Sequence, residues 1–157
     1  MIFGGVGSDG KVLNDVWVLN LSENPLDAWQ SHEWQPFKSV TERPSARAFH
    51  SAALDFGGFK MLIHGGSGSG GRGQSMVLGD TWTFDLFTRR WDRADIIGDV
   101  PEQTRGKMVL TSNGTLGYQM FGLTESGVGS SLQVCTGDIE GVGLLCGYPR
   151  EALFCSY

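Results

Sequence analysis

The sequence is poor in the features that mark several function classes. Charged side chains make up only 18% of its 157 residues, and the net charge is −5 at pH 7. Such a chain lacks the basic surface that nucleic-acid binding requires. No apolar run approaches the ~18–20 residues of a membrane span, and the first residues lack the basic and apolar segments of a signal peptide. We therefore expect no nucleic-acid partner, no membrane segment, and a cytoplasmic or nuclear location.

Metal and redox chemistry also has few candidate residues. The three cysteines, Cys135, Cys146 and Cys155, are spaced neither as a CxxC pair nor as a zinc site. The chain holds only three histidines. It shows no GxSxG nucleophile elbow and no HExxH motif. We expect reduced thiols, no metal, no cofactor and no catalytic residue.

Glycine and alternating apolar residues are what the sequence has in abundance. The 24 glycines are roughly twice the usual share of ~7%, and they follow no three-residue period. Within Asp80–Leu86, apolar Trp82, Phe84 and Leu86 alternate with polar residues, which is typical of a strand with one buried face. A hydrophobic share of 40% is too high for a disordered chain. These features predict a turn-rich, all-β domain.

The chain repeats itself at intervals close to sixty residues. The matching segments are Met1–Gly5 with Met61–Gly66, Asn14–Leu21 with Gly79–Leu86, Trp34 with Trp91, and Pro44–Arg47 with Pro101–Arg105. A weaker third copy is present at Tyr118–Gly122. We interpret each unit as a small antiparallel sheet.

The second unit predicts four strands. They are Arg47–Leu54, Lys60–His64, Asp80–Leu86 and Trp91–Ala94, with a long, flexible, glycine-rich loop over Gly65–Gly79. In the third unit, Asn113-Gly114 between two apolar runs predicts a hairpin. Leu132–Leu145 is ambiguous, although its glycines weaken a helical interpretation. Four-stranded sheets repeating in this way bury their apolar faces by packing around an axis, as in a β-propeller.

The repeated motifs together resemble kelch repeats over roughly Met1–Gly122. The motif residues are Gly4, Gly5, Asp15, Trp17, Trp34, Gly65, Gly66, Asp80, Trp82 and Trp91. The glycine pairs allow sharp turns and close approach of a neighbouring blade. We expect Trp17 and Trp82 to lie between stacked sheets, and Trp34 and Trp91 to hold the outer strands.

The number of repeats is small for a propeller, which needs ~4–8 blades. Only the second unit is complete, so we expect a partial kelch-type propeller with an incomplete circle, a fragment of a larger protein. The expected divisions are a partial blade over 1–46, a complete blade over 47–100, the start of a degenerate blade over 101–122, and an unassigned tail over 123–157.

Glycine-rich loops and arginines supply the candidate sites. Gly5–Gly10, Gly66–Gly71 and Gly68–Gly73 spell GxGxxG, but a strand rather than a helix follows each, so we interpret them as loops. The resemblance places Arg47 and Arg105 near the mouth of a central channel, where an arginine can bind an acidic peptide. The alternative is that each arginine hydrogen-bonds backbone carbonyls of the adjacent blade. Arg72, in the long loop, is a further candidate contact.

Two functions remain open at this point. The first is a protein-interaction module that presents loops and a channel mouth to a partner protein or acidic peptide, with self-association possible through open blade faces. The second is a fragment of a kelch-like propeller enzyme, such as an oxidase, an isomerase or a specifier-type enzyme. The enzyme requires acids, histidines or tyrosines clustered at the mouth, and the sequence shows no such cluster.

Overall fold

The described part of the chain is built from β-strands. The computed structural model describes residues 1–20, 33–54, 60–70, 74–98, 109–112, 116–124, 127–137 and 143–147. Its strands are β1 (Ile2–Val6), β2 (Val12–Asn20), β3 (Glu33–Pro36), β4 (Arg47–Ala48), β5 (Ser51–Leu54), β6 (Lys60–His64), β7 (Ser67–Ser69), β8 (Ser75–Val77), β9 (Thr81–Asp85), β10 (Arg90–Arg93), β11 (Asp95–Gly98), β12 (Val109–Ser112), β13 (Leu116–Thr124), β14 (Gly127–Gly137) and β15 (Gly143–Gly147). These ranges contain no helix, and hence none that could cross a membrane. The all-β prediction is confirmed.

The strands form four sheets, and the first two repeat one another. Their orders are β1-β2-β3, β5-β6-β9-β10, β4-β7-β8 and β11-β15-β14-β13-β12. In the first sheet Ile2 lies opposite Trp17, and in the second Ile63 lies opposite Trp82. The two units therefore share one register, as the repeated sequence predicts. The described sheets do not close into a ring.

The hydrophobic core lies between the first two sheets. Phe3 and Val16 of the first unit pack with Ile63, Phe84 and Trp91 of the second. The ring centroid of Trp91 is 4.9 Å from those of Phe3 and Phe84. Tilted pairs at this separation add to the free energy of burial. The alternation that predicted a one-sided strand thus marks the face that joins two units.

The equivalent outer tryptophans differ in their surroundings. Trp91 is 3% exposed within the core, whereas Trp34 of the first unit is 45% exposed. Trp82 is partly buried against the same core. The expectation that Trp91 lies on an outer strand holds, and the structure adds that its ring enters the core between the units.

Two predictions for the second unit were wrong. A single strand over Arg47–Leu54 is broken into β4 and β5 at Phe49, whose φ is 58°. The long loop is instead the antiparallel pair β7–β8, and β7 pairs with β4. The break follows from close packing, because a Cβ at Gly66 would lie 2.7 Å from the carbonyl oxygen of Ala48. The chain therefore leaves the β4-β7-β8 sheet after Ala48 and joins the β5-β6-β9-β10 sheet at Ser51.

The five-stranded sheet, β11-β15-β14-β13-β12, extends beyond the last recognised repeat. β12 and β13 pair antiparallel on either side of Asn113-Gly114, which confirms the predicted hairpin. The ambiguous stretch Leu132–Leu145 contributes to β14 and β15, so its described residues are strands. Both strands join the sheet of β13, although the sequence predicts no structure for residues 123–157. β11 joins this sheet too, in parallel with β15.

Candidate interaction surface

Three segments of the second unit meet at one end of its sheet. β6 ends at His64 and continues into Gly65-Gly66, while β9 starts immediately after Asp80. Ser51 of β5 and Thr81 of β9 both pair with His64, so Arg47 and Asp80 emerge at the same end. We call this end, with its counterpart at Gly4-Gly5 of the first unit, the glycine end.

Arg47 joins these segments through its guanidinium. Its Nη1 and Nη2 donate to the two carboxylate oxygens of Asp80 at 2.7 and 2.8 Å. Nη1 also donates to the carbonyl oxygen of Gly65, and Nε and Nη2 donate to the carbonyl and hydroxyl oxygens of Ser45, each at 3.1 Å. These five bonds match the five N–H donors of an arginine. The side chain is 0% exposed.

Asp80 holds two partners at once. Besides Arg47, its carboxylate accepts a hydrogen bond from the indole Nε1 of Trp82 at 2.6 Å. Burial raises the pKa of Asp80, but the hydrogen bonds from Arg47 and Trp82 outweigh it and leave the pKa below its ordinary value. The first unit repeats the local part of this arrangement, since Trp17 donates to Asp15 at 2.7 Å. The Asp-x-Trp motif is thus a carboxylate–indole hydrogen bond within one strand.

The first unit packs closely against Arg47 from the other side. Gly4 has a φ of 58°, and a Cβ there would lie 2.6 Å from the carbonyl oxygen of Arg47. His50 meets the ring of Phe3 edge-on at 5.4 Å. The glycine ends of the two units are therefore adjacent, as the expected close approach of neighbouring blades requires.

His50 is partly buried where the two units meet, beside the ring of Phe3. Burial, together with the positive charge of Arg47, lowers the pKa of His50 to about 4. Its Nδ1 is buried and has no hydrogen-bond partner among the described residues. The imidazole is consequently neutral at physiological pH, and we assign it a packing role.

Apolar side chains project from this framework into solvent. Phe49 is 65% exposed and Met76 is 50% exposed. Met76 of β8 lies opposite Gly68, which in turn lies opposite Arg47, so one row of the β4-β7-β8 sheet carries both the buried arginine and the exposed methionine. A positive φ at a bulky residue such as Phe49 is strained and persists only where its surroundings fix it. Here the Arg47 network and the Gly66 contact fix it.

The predicted arginines fall into two groups. Among the described residues the guanidinium of Arg47 bonds only to Ser45, Gly65 and Asp80, and a partner carboxylate would have to displace Asp80 to reach it. The structural alternative expects a backbone carbonyl of the adjacent blade as acceptor, whereas the guanidinium bonds the carbonyl of Gly65 in the same unit, together with Ser45 and Asp80. Arg72 and Arg105 lie outside the described residues, so their role stays a prediction.

Sequence reasoning missed two features of this surface. Both members of the Arg47–Asp80 pair were named, but nothing in a single sequence links positions 33 residues apart. The exposure of Phe49 was hidden because an apolar residue inside a strand-like run predicts burial. Within the described ranges no three His, Cys, Asp or Glu side chains gather as a metal site would require. The enzyme alternative stays untested.

Comparison with known proteins identifies the repeats. The sequence matches the family model described as "KLHDC2/KLHL20/DRC7 Kelch-repeats domain" over residues 1–138. An F-box/kelch-repeat protein of Arabidopsis thaliana is 36% identical over 89 residues, which cover 56% of this chain and 17% of that protein. The tRNA wybutosine-synthesizing protein 2/3/4 of the same plant is 30% identical over 138 residues, 85% of this chain and 12% of that protein.

A further plant relative has another description. Acyl-CoA-binding domain-containing protein 4 of Arabidopsis thaliana is 29% identical over 111 residues, 71% of this chain and 14% of that protein. The chain thus spans between 12% and 17% of the length of these three relatives. Their names differ, whereas the family model covers most of this chain. The chain therefore belongs to the kelch-repeat family, and kelch repeats are in general protein-interaction modules.

Proposed function

We propose that this chain binds a partner protein through the glycine end of its repeat units, with Phe49 and Met76 as contact residues. The observation that carries the proposal is Phe49, a large apolar side chain 65% exposed on a strained backbone position. Strained, exposed residues on a fixed framework are common at binding sites. Aromatic and methionine side chains are also enriched in protein interfaces.

The network beneath these residues supports the same proposal. Arg47 and Asp80 join β4, Gly65 and the start of β9 by hydrogen bonds of 2.7–3.1 Å. A surface built on such a framework loses little conformational freedom when a partner binds. In this proposal Arg47 is a positioning residue that does not touch the partner.

The partner class follows from the remaining arginines. In the sequence Arg72 lies between β7 and β8, and Arg105 lies between β11 and β12. An acidic segment would pair with these guanidinium groups while apolar residues of the partner contact Phe49 and Met76. We propose that the ligand of the glycine end is an acidic peptide segment of a partner protein.

Site-specific photocrosslinking tests the surface. A photoreactive phenylalanine is placed at position 49 and, as a matched control, at position 87, and the captured proteins are identified by mass spectrometry. Phe87 is 75% exposed in the turn between β9 and β10, at the opposite end of the same sheet. We expect a discrete protein captured from position 49 and not from position 87. Equal capture at both positions would contradict the proposal.

The captured protein is then purified and its affinity is measured by calorimetry. We expect Phe49→Ser to weaken binding at least about tenfold, as loss of a contact residue does, and Phe87→Ser to leave the affinity unchanged. Arg72→Glu and Arg105→Glu test the acidic segment. Each is expected to weaken binding, and the loss of affinity should be larger at low salt than at high salt. Affinity unmoved by Phe49→Ser would refute the glycine-end interface, whereas affinity unmoved by the arginine variants would refute only the acidic partner.

A further inference from the structure

Two of the three cysteines lie directly opposite one another in the five-stranded sheet. Cys135 of β14 is the antiparallel partner of Cys146 of β15, and the register around them is continuous from Val134 to Gly137. Opposite residues of an antiparallel pair lie on the same face of the sheet. The two cysteines therefore share one face and one row of strand positions, although their spacing along the sequence matches no CxxC pair.

The separation of opposite strand positions suits a disulfide bond. Opposite Cα atoms are about 4.5 or 5.5 Å apart, and disulfides join residues whose Cα atoms are about 4.4–6.8 Å apart. Opposite Cβ atoms are about 4.5–5.5 Å apart, whereas the Cβ atoms of a disulfide are about 3.5–4.5 Å apart. A bond at these positions thus draws the strands together by roughly an ångström, and the resulting strain makes the bond easier for a thiol to reduce.

Glycines flank the cysteine pair in the same row of the sheet. Gly117 of β13 lies opposite Cys135, and Gly98 of β11 lies opposite Cys146. Neither flanking residue carries a side chain beside the cysteines, so no neighbour in the row opposes the approach of the strands that the bond needs.

The pair also lies where the sheet depends on one strand. β15 lies between β11 and β14, and among the described strands β11 has no other neighbour. Only Ala94 separates β11 from β10, the last strand of the second unit. β15 therefore connects the end of the second unit with strands β12 to β14, and a covalent bond between β14 and β15 would fix that connection.

We propose that Cys135 and Cys146 are an oxidation site: they form a reversible disulfide that fixes β15 in the five-stranded sheet. The oxidant is a low-molecular-weight disulfide such as glutathione disulfide. The proposal does not depend on the proposed glycine-end interface, because it uses none of the residues assigned to that interface.

The oxidation proceeds by two thiol–disulfide exchanges. The thiolate of one cysteine attacks a sulfur of glutathione disulfide, whose S–S bond breaks, and one glutathione leaves as its thiolate. The thiolate of the other cysteine then attacks the protein sulfur of this mixed disulfide and releases the second glutathione. In total the two cysteines lose two electrons and two protons, and one glutathione disulfide becomes two glutathione thiols. Excess glutathione reverses both steps.

Mass spectrometry of the full chain tests the pairing. The reduced chain is equilibrated with glutathione and glutathione disulfide in the absence of oxygen, quenched with acid, alkylated and digested with trypsin. Trypsin leaves Cys135 and Cys146 in one peptide, residues 108–150, and Cys155 in another, residues 151–157. We expect the first peptide to lose two hydrogens and to resist alkylation, while Cys155 is alkylated.

A second digestion locates the bond. A glutamate-specific protease cuts after Glu140, between Cys135 and Cys146. We expect the two fragments to stay linked until a reductant is added. Cys155→Ser is the matched control and leaves this linkage unchanged, whereas Cys135→Ser and Cys146→Ser each abolish it.

The same equilibration in urea separates the folded sheet from chance pairing. In the unfolded chain the loops over residues 136–145 and 147–154 are of similar length, so Cys146 should pair with Cys135 and with Cys155 to similar extents. In the folded chain we expect the Cys135–Cys146 bond to exceed the Cys146–Cys155 bond at least about tenfold, because the sheet holds the first pair in register.

Hydrogen exchange tests what the bond does to the sheet. A bond that fixes β15 should slow the exchange of amides in its neighbour β11. We expect added protection at Ile96 and Ile97 of the oxidised chain, and its loss when dithiothreitol is added. Val16 of the first unit should exchange equally in both states and serves as the internal reference.

Three results, all obtained on the unaltered chain, would overturn the proposal. The first is a peptide over residues 108–150 that is still fully alkylated after equilibration with a large excess of glutathione disulfide over glutathione. The second is a bond to Cys155 that predominates in the folded chain, because the strand register would then not set the pairing. The third is equal exchange at Ile96 and Ile97 in the oxidised and reduced chain, because the bond would then not hold β15.

Discussion

Removing the charge of Asp80 should destabilise the chain far more than removing that of Asp15. Asp80→Asn leaves the guanidinium of Arg47, which is 0% exposed, without its counter-charge. Breaking a buried ion pair from one side costs about 3–5 kcal/mol. We take the lower end, about 3 kcal/mol, because the Asp80 side chain is 21% exposed and an asparagine can still accept from Trp82.

Asp15→Asn is the matched control for this change. Asp15 also accepts from a tryptophan, but no described arginine binds it. We expect the free energy of unfolding of this variant to change by less than about 1 kcal/mol, because the replacement neutralises one carboxylate and leaves no buried cation without its counter-charge. Urea unfolding followed by tryptophan fluorescence measures both variants.

A double replacement separates the ion pair from the packing around it. Arg47→Met with Asp80→Leu removes both charges, so it should recover much of the stability that Asp80→Asn alone loses. If Asp80→Asn costs no more than Asp15→Asn, the Arg47–Asp80 pair does not stabilise the fold as argued here.

Three further predictions concern the core, the glycine end and its pH dependence. The pKa of His50 is lowered to about 4 in the folded chain, so the unfolded chain takes up this proton first as the pH falls. The free energy of unfolding is therefore full above pH ~6.5 and falls towards pH 4 by at most about 3 kcal/mol, the loss being smaller because the ring is partly exposed to solvent. His50→Gln should flatten this slope in urea titrations across the same pH range. Gly4→Ala should cost more than about 2 kcal/mol because its Cβ meets backbone carbonyls, whereas Gly10→Ala, at a similar φ with open space, should cost about 1 kcal/mol; similar midpoint shifts in thermal melts would argue against the close contact. Trp91→Ala should cost about 3–5 kcal/mol and Trp34→Ala less than about 1 kcal/mol, from their 3% and 45% exposure; a larger loss for Trp34 in chemical unfolding would reverse the assignment of the core.

The sheet of the second unit follows from local signals. Lys60–His64 and Asp80–Leu86 carry the composition and alternation of strands, and β6 and β9 lie there within one residue. The repeat then transfers the same register to the first unit. Local patterns suffice here because each strand buries a single apolar face.

The glycine end could not be predicted in the same way. Phe49 breaks a run of strand-forming residues because Gly66 packs against Ala48, and that contact depends on tertiary structure. The glycine-rich sequence after Gly66 predicts a loop, yet Ser67–Ser69 forms a strand because it pairs with the edge of β4. The Arg47–Asp80 pair is equally non-local. The sequence indicated which residues matter, whereas their partners depended on how distant segments pack.

The position of Arg47 has a consequence for how such repeats multiply during evolution. Among the described residues its side chain bonds only to groups between Ser45 and Asp80, so duplicating that stretch copies the ion pair together with its own acceptor. Its carbonyl oxygen, in contrast, faces Gly4 of the preceding unit. Arg47 thus has an ion pair that is copied with its own unit and a carbonyl oxygen that requires a glycine in the neighbouring unit. A newly duplicated unit arrives with its internal bonds intact, and selection has only to supply a glycine on the adjoining one.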